Sequence, residues 1–276
     1  MARRQRLDAE LVRRHLARSR THAAELIADR RVLLSGTVAQ KPATQLDPAQ
    51  ALRVLDPPDG SIDYVSRGGQ KLAGALAALG AHAPRVQGRR ALDAGASTGG
   101  FTDVLLRHGA AHVVAVDVGY GQLAWSLRTD ERVTALDRTN IRTLEPELVA
   151  PPPELVVGDL SFISLTLVLP ALIRAAHEDA DLLLMVKPQF EVGKERLGHG
   201  GVVRETRLHA EAVTSVITAA RELDRGVRAV VASPLPGPSG NVEYFVHLHR
   251  DGSVQEEEIE AMITTAIAAG PAGGAA

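Results

Sequence analysis

Three charged residues stand where charge is out of place in an apolar strand or at its end. Asp159 closes Leu155-Val-Val-Gly-Asp159, and Lys187 closes Leu182-Leu-Leu-Met-Val-Lys187. Neither strand is polar enough to carry a charge by accident. In open α/β sheets ligands bind outside the carboxyl ends of the strands, so both side chains are expected at one ligand-bearing edge. Glu243 lies near the start of Gly240-Asn-Val-Glu243-Tyr-Phe. If that strand runs antiparallel to its neighbours, its beginning reaches the same edge. A lysine held between carboxylates can orient a reacting group and move a proton. The plainer alternative is a structural salt bridge between Lys187 and Asp159.

A second set of residues points to a nucleoside. Ala91-Leu-Asp-Ala-Gly-Ala-Ser-Thr-Gly-Gly-Phe101 runs from a strand through a small-residue turn into a helix. Backbone can come close to a ligand at Gly95, Gly99 and Gly100. Asp117 ends the next strand, Val113-Val-Ala-Val-Asp117, where a carboxylate can accept hydrogen bonds from ribose hydroxyls. The spacing departs from the G-x-G-x-x-G of dinucleotide sites, and Asp93 precedes the first glycine. S-adenosyl-L-methionine is therefore the expected cofactor, with Asp93, Gly95, Ala96, Ser97, Gly99, Gly100, Phe101 and Asp117 around it and a dinucleotide as the alternative. Asp137, at the end of Thr134-Ala-Leu-Asp137, could reach the adenine or could cap a helix.

These residues need a scaffold that gathers strand ends. From about residue 66, helical and strand patterns alternate, as in a parallel sheet covered on both faces. Strands are expected near 90–95, 112–118, 132–136, 154–159, 181–186, 228–232 and 242–249, the last antiparallel. Helices are expected at 67–80, 99–109, 121–128, 162–177 and 204–223. Seven such strands would make an α/β, Rossmann-like sheet of the methyltransferase type. The stretch from Gln189 to Arg204 holds four glycines and the basic residues Lys194, Arg196 and Arg204, and reads as a mobile loop that grips RNA. His199 within it has no second histidine at ligand spacing, so no metal is expected.

The chain of 276 residues exceeds one compact core, which allows a small unit beside the large one. The absence of cysteine excludes disulfides and thiolate metal sites and fits a cytoplasmic protein. No apolar stretch approaches the ~20 residues of a membrane span, and the first 20 residues lack the apolar core of a secretory signal. A formal charge of -2 hides an uneven distribution: residues 1–31 contain nine arginines against four acids. Surplus positive charge at one end of the chain suits a polyanion. Leu7, Leu11, Val12 and Leu16 recur at helical spacing, Ser19 can cap a second helix through Asp29, and short strands follow at 32–34, 37–38 and 51–55. The expected organisation is a small α+β domain at 1–60, a linker at 61–65, the large domain at 66–268 and a frayed tail at 269–276.

The segment Arg6-Leu-Asp, Leu11-Val-Arg-Arg14, Ser19-Arg20 and Ala23-Ala-Glu-Leu-Ile27, followed by Val32-Leu-Leu-Ser-Gly-Thr-Val38, resembles the S4-type (alpha-L) RNA-binding domain. The resemblance implies RNA contacts by Arg3, Arg4, Arg6, Arg13, Arg14, Arg18 and Arg20, to which the basic residues Arg67, Lys194 and Arg196 of the large domain add. The ordered set Lys71, Asp159, Lys187 and Glu243 resembles the K-D-K-E tetrad of FtsJ-like ribose 2'-O-methyltransferases. Only this resemblance brings in Lys71, whose place topology does not give. The stretches Val65-Ser-Arg-Gly-Gly-Gln-Lys-Leu72, Asp93-Ala-Gly-Ala-Ser-Thr-Gly-Gly-Phe-Thr-Asp103, Gly158-Asp-Leu-Ser-Phe-Ile-Ser-Leu165 and Val186-Lys-Pro-Gln-Phe-Glu-Val-Gly193 extend the likeness over nearly the whole chain, to the TlyA family of rRNA cytidine-2'-O-methyltransferases. At the junction, where some members carry Arg-Ala-Trp, this chain has Ser61-Ile-Asp-Tyr64. The resemblance implies S-adenosylmethionine as methyl donor and ribosomal RNA or ribosomal subunits as partner; a monomer is expected, and the short apolar runs leave no membrane partner. It also implies Lys187 as the group that positions and deprotonates the hydroxyl. A non-catalytic RNA-binding assembly factor and a membrane-active haemolysin are the competing readings; the second would need a spanning or strongly amphipathic apolar helix.

Overall fold

The computed structural model describes residues 4–14, 16–57, 60, 62–237 and 239–270. Arg3, Ser61 of the expected linker and residues 271–276 of the expected tail lie outside the described residues. The chain divides into two compact units, Met1–Asp63 and Tyr64–Ala276.

In the first unit, strand β1 (Gln5–Arg6) leads into helix α1 (Leu7–Arg13), and helix α2 (Arg20–Ala28) follows. The hydroxyl of Ser19 accepts from the His22 N–H and caps α2, as its position before the apolar run requires. Strands β2 (Val32–Leu34), β3 (Thr37–Val38), β4 (Gln45–Leu46) and β5 (Leu52–Val54) complete the unit. The three-stranded sheet has the order β3-β2-β5, and β1 pairs with β4. The β1–β4 pair has no signal in the apolar pattern, because two-residue strands show no alternation. The small core is Leu7, Leu11, Ala23, Leu26, Ile27, Val32 and Leu46, all 2 % exposed or less.

The second unit opens with helix α3 (Arg67–Leu79) and continues with β6 (Arg90–Ala94), α4 (Gly100–Arg107), β7 (His112–Val116), α5 (Trp125–Arg128), β8 (Val133–Leu136), β9 (Leu155–Gly158), α6 (Leu169–Ala175) and β10 (Asp181–Val186). Then come α7 (Pro188–Glu191), α8 (Thr206–Arg221), β11 (Gly226–Ala232), β12 (Tyr244–His249) and α9 (Glu256–Ala269). The sheet order is β11-β12-β10-β9-β6-β7-β8. Strands β8, β7, β6, β9 and β10 pair in parallel, and β12 runs antiparallel to both β10 and β11. That reversal brings the start of β12 to the edge where the parallel strands end. Strand β10 is buried along its whole length. Its alternate residues divide between two cores: Leu182, Leu184 and Val186 join one face and Leu183 and Met185 the other. A strand buried on both faces reads as a continuous apolar run rather than an alternating one.

Beside β1, β4 and the short helix α7, which have no counterpart in the sequence expectation, three elements depart from it. The helix expected at 121–128 is limited to Trp125–Arg128, because Gly121 takes φ +66° and interrupts the turn before it. The helix expected at 162–177 starts late: Phe162 has φ +64°, a 3-10 turn spans Leu165–Leu167, and α6 begins only at Leu169, just before Pro170. Helix α9 was not anticipated, although Ile259, Ile263 and Ala266 fall at helical spacing and are buried. Among the described residues, no helix is long and apolar enough to cross a membrane.

Candidate active site

The loop after β6 folds around three residues with positive φ. Gly95 (φ +84°) and Ala96 both donate backbone N–H groups to the Val116 carbonyl, at 2.9 and 3.1 Å. Ser97 (φ +47°) follows, and Gly99 (φ +96°) precedes α4. A Cβ on Gly95 would lie 2.9 Å from the Asp159 carbonyl oxygen. Only glycine lets the β6 turn meet the end of β9 this closely. Gly99 instead makes room for packing, since a Cβ there would come 2.7 Å from Leu123 Cδ1. Asp117, just past β7, has both oxygens held by backbone: Oδ2 accepts from Ser97 N–H at 2.8 Å and Oδ1 from Gly119 N–H at 2.7 Å.

Two adjoining cavities open at this edge. One, of about 430 Å³, is walled by Asp117, Gln122, Thr139, Asn140 and Ile141. The other, of about 320 Å³, is walled by Arg67, Lys71, Asp93, Phe101, Lys187 and Pro236. Gly95, Ser97, Asp159 and Ser161 line both. Asp137 lies on neither wall. Its carboxylate accepts twice from Arg128 Nη2, at 2.8 and 2.6 Å, and that guanidinium holds the carboxyl below its ordinary range. Thr139 and Asn140 stand at the wall where Asp137 was expected to reach.

Asp93 is fully buried at the floor of the smaller cavity. Thr102 donates to its Oδ2 at 2.6 Å, while Oδ1 has no hydrogen-bond partner in the protein. Burial pushes the carboxyl up to about 7, against the opposing hydrogen bond from Thr102.

The charged residues at the strand ends form two lysine–carboxylate pairs. Lys71 of α3 pairs with Glu243, at 6 % and 1 % exposure. Lys187 Nζ lies 2.5 Å from Asp159 Oδ1 and donates to Ser161 Oγ at 2.8 Å. The first turn of α3 comes up against the second pair: a Cβ on Gly68 would be 3.9 Å from Asp159 Oδ2. Topology could not give the place of Lys71; the fold puts it on the wall that also carries Asp159 and Lys187. Glu243 enters from the beginning of the reversed strand β12. Ser161 and Thr102 were not singled out from sequence. Ser161 follows Asp159 at i+2, a spacing that returns an extended chain to the same side, and that was the available signal.

The basic residues divide by partner. Arg67 donates to the Pro236 carbonyl at 3.3 Å from the cavity rim. Lys194 is exposed on a 3-10 turn. Arg196 is taken up by Glu211 (2.5 Å) and the Val192 carbonyl (2.7 Å). In the N-terminal unit, Arg6 and Arg20 converge on the buried Asp8, and Arg13 and Arg14 on the buried Glu10. Arg18 pairs with Asp63, and Arg4 is exposed. Arg14 also donates to the carbonyls of Pro48 and Gln50, at 2.6 and 2.9 Å, so its guanidinium closes the fold of the unit.

Residues 64–250 match the FtsJ-like methyltransferase family, and residues 5–51 match the S4 domain. The chain is 56% identical over 273 residues to a Mycobacterium tuberculosis protein named 16S/23S rRNA (cytidine-2'-O)-methyltransferase TlyA, covering 98% of this chain and 100% of the relative. A Campylobacter jejuni protein named 23S rRNA (cytidine-2'-O)-methyltransferase TlyA is 33% identical, over 86% of this chain and 96% of its own. Among solved structures, a Streptococcus thermophilus protein named as a hemolysin is 35% identical with a TM-score of 0.71, covering 96% of both chains. With both domains matched and relatives aligned along almost the full length, the chain belongs to the TlyA group of FtsJ-like methyltransferases, with an S4 domain ahead of the methyltransferase domain.

Proposed function

We propose that this protein transfers a methyl group from S-adenosylmethionine to a ribose 2'-hydroxyl of ribosomal RNA, with cytidine as the modified nucleoside. The observation that carries the reading is that Lys71, Asp159 and Lys187 line one cavity, Lys71 held by the buried Glu243 behind it, and that this cavity shares wall residues with a second beside Asp117. The names of the relatives supply the nucleoside and the class of RNA.

The residues fit the donor. Gly95 leaves space that a Cβ would fill, Asp93 Oδ1 is a buried acceptor in want of a donor, and the oriented Asp117 carboxylate suits ribose hydroxyls. When bound, the donor supplies a sulfonium methyl group that is already a good electrophile. The protein's task is then to place and deprotonate a poor nucleophile. Lys187 receives the hydroxyl proton, and Asp159 orients its nitrogen. Lys71, held by Glu243, presents positive charge to the oxyanion as the proton leaves. Phe101, stacked on Phe245 with ring centroids 5.9 Å apart, helps keep the wall dry.

The S4 unit would hold the RNA. Arg4, Arg6, Arg13, Arg18 and Arg20 are among its exposed cations, and Asp8 and Glu10 fix the side chains of Arg6, Arg13, Arg14 and Arg20 in place. Phosphate contacts by such residues give affinity without sequence choice. In the methyltransferase domain, Arg67 at the cavity rim and the exposed Lys194 are further candidate phosphate contacts.

Mass-spectrometric mapping of 2'-O-methylcytidine in ribosomal RNA treated with the wild-type protein or Lys187→Ala tests the assignment. The variant is expected to lose about 10²–10⁴-fold in rate. Unchanged methylation by Lys187→Ala would overturn it.

A further inference from the structure

Lys187 has a partner that can hold it whether or not it carries the extra proton. Its Nζ donates to Ser161 Oγ at 2.8 Å, beside the Asp159 carboxylate. Lys187 is 7 % exposed, whereas Ser161 is exposed and lines both cavities. Among the described residues, no protein group takes the hydroxyl hydrogen of Ser161.

The two partners of Lys187 differ in kind. An ionised carboxylate only accepts, so Asp159 holds an ammonium well and a neutral amine poorly. A hydroxyl both accepts and donates. Ser161 accepts from the ammonium, and its hydroxyl can turn to donate to the nitrogen lone pair once a proton is gone. During transfer the ribose O–H bond breaks and an N–H bond forms on Lys187, while the oxygen gains the methyl group as its bond to sulfur breaks. A nitrogen that must be neutral before this step and charged after it needs a partner suited to both states.

We propose that Ser161 is the positioning residue for Lys187, keeping Nζ aimed at the acceptor hydroxyl in both protonation states. The proposal rests on the assignment of Lys187 made above. Because Ser161 is exposed, its hydroxyl is dispensable for folding, and Ser161→Ala should melt within about 2 °C of wild type.

The test compares wild type, Ser161→Ala, Ser161→Thr and Lys187→Ala as full-length proteins in steady-state methylation of bacterial ribosomal RNA. For Ser161→Ala, kcat is expected to fall about tenfold, while KM for RNA and for S-adenosylmethionine stays within about twofold. Ser161→Thr, which keeps the hydroxyl, should restore most of kcat. A wild-type kcat in Ser161→Ala, a loss confined to KM, or a loss that threonine does not repair would each overturn the proposal. Lys187→Ala separates the two readings. If it is inactive while Ser161→Ala is unimpaired, only the role of Ser161 fails; if it stays active, the assignment of Lys187 fails as well.

Discussion

Asp93 shows how a site residue can work against the stability of the fold that holds it. Its carboxyl is raised from 3.8 to about 7 by burial, with one oxygen unpartnered. A folded-state value above the unfolded one means that the fold prefers the neutral acid. The residue is therefore least costly at pH below about 4, and its cost grows as pH rises toward about 7. Asn in its place can still accept from Thr102 and carries no charge. Asp93→Asn should stabilise the protein by about 1–2 kcal/mol at pH 8, with the gain vanishing near pH 4, as read by thermal melting across pH. The same variant should bind S-adenosylmethionine more weakly by calorimetry. A variant no more stable than wild type at pH 8 would refute the account of the buried charge. The strand-end charges were visible in the sequence because Asp159 and Lys187 interrupt apolar runs. Asp137 follows a strand in the same way, but its carboxylate pairs with Arg128 and lies on neither cavity wall.

At the scale of elements, the turn between β6 and α4 sets the distance between the two cavities' shared wall and the end of β9. Gly95→Ala would force a Cβ to 2.9 Å from both the Asp159 carbonyl oxygen and Leu160 Cδ2, at a φ of +84°. A loss of about 1–3 kcal/mol in stability is expected from the strained backbone, read by urea unfolding. The larger effect should fall on cofactor affinity, since Asp159 and its partner Lys187 move with that wall. The parallel strands were legible because burial on both faces leaves an unbroken apolar run. Helix boundaries were less so. Phe162 adopts φ +64° and Gly121 φ +66°, and neither conformation is written in an apolar period. Helix α9 carries a readable stripe of Ile259, Ile263 and Ala266, hidden beside an alanine- and glycine-rich tail.

Over the whole chain, charge is arranged by depth as well as by position. In the N-terminal unit Asp8 and Glu10 are buried, while Arg6, Arg13 and Arg20, which pair with them, are exposed. The hydrogen bonds from Arg6 and Arg20 hold the Asp8 carboxyl well below its usual range, and Arg13 and Arg14 hold Glu10 down to about 2. Folded values below the unfolded ones mean stability that is complete above about pH 4.5 and is lost as pH falls toward about 2. Glu10→Gln should lower the melting temperature of the unit at pH 7 and converge with wild type near pH 2, measured by circular dichroism on the full chain. A constant difference between the two across that window would contradict the pairing. The charge surplus, the strand order of apolar runs and the glycine turn are properties of neighbouring residues, so the sequence by itself determined the fold class, the nucleoside edge and an arginine-rich first unit. Contacts between residues far apart in the chain belong to the tertiary structure alone. Lys71 and Glu243 are separated by 172 positions, and only the reversal of β12 and the packing of α3 join them. The physical reason is that local pattern reports what each residue prefers to be buried against, while the partner of a charge is chosen by how the strands are ordered in the sheet.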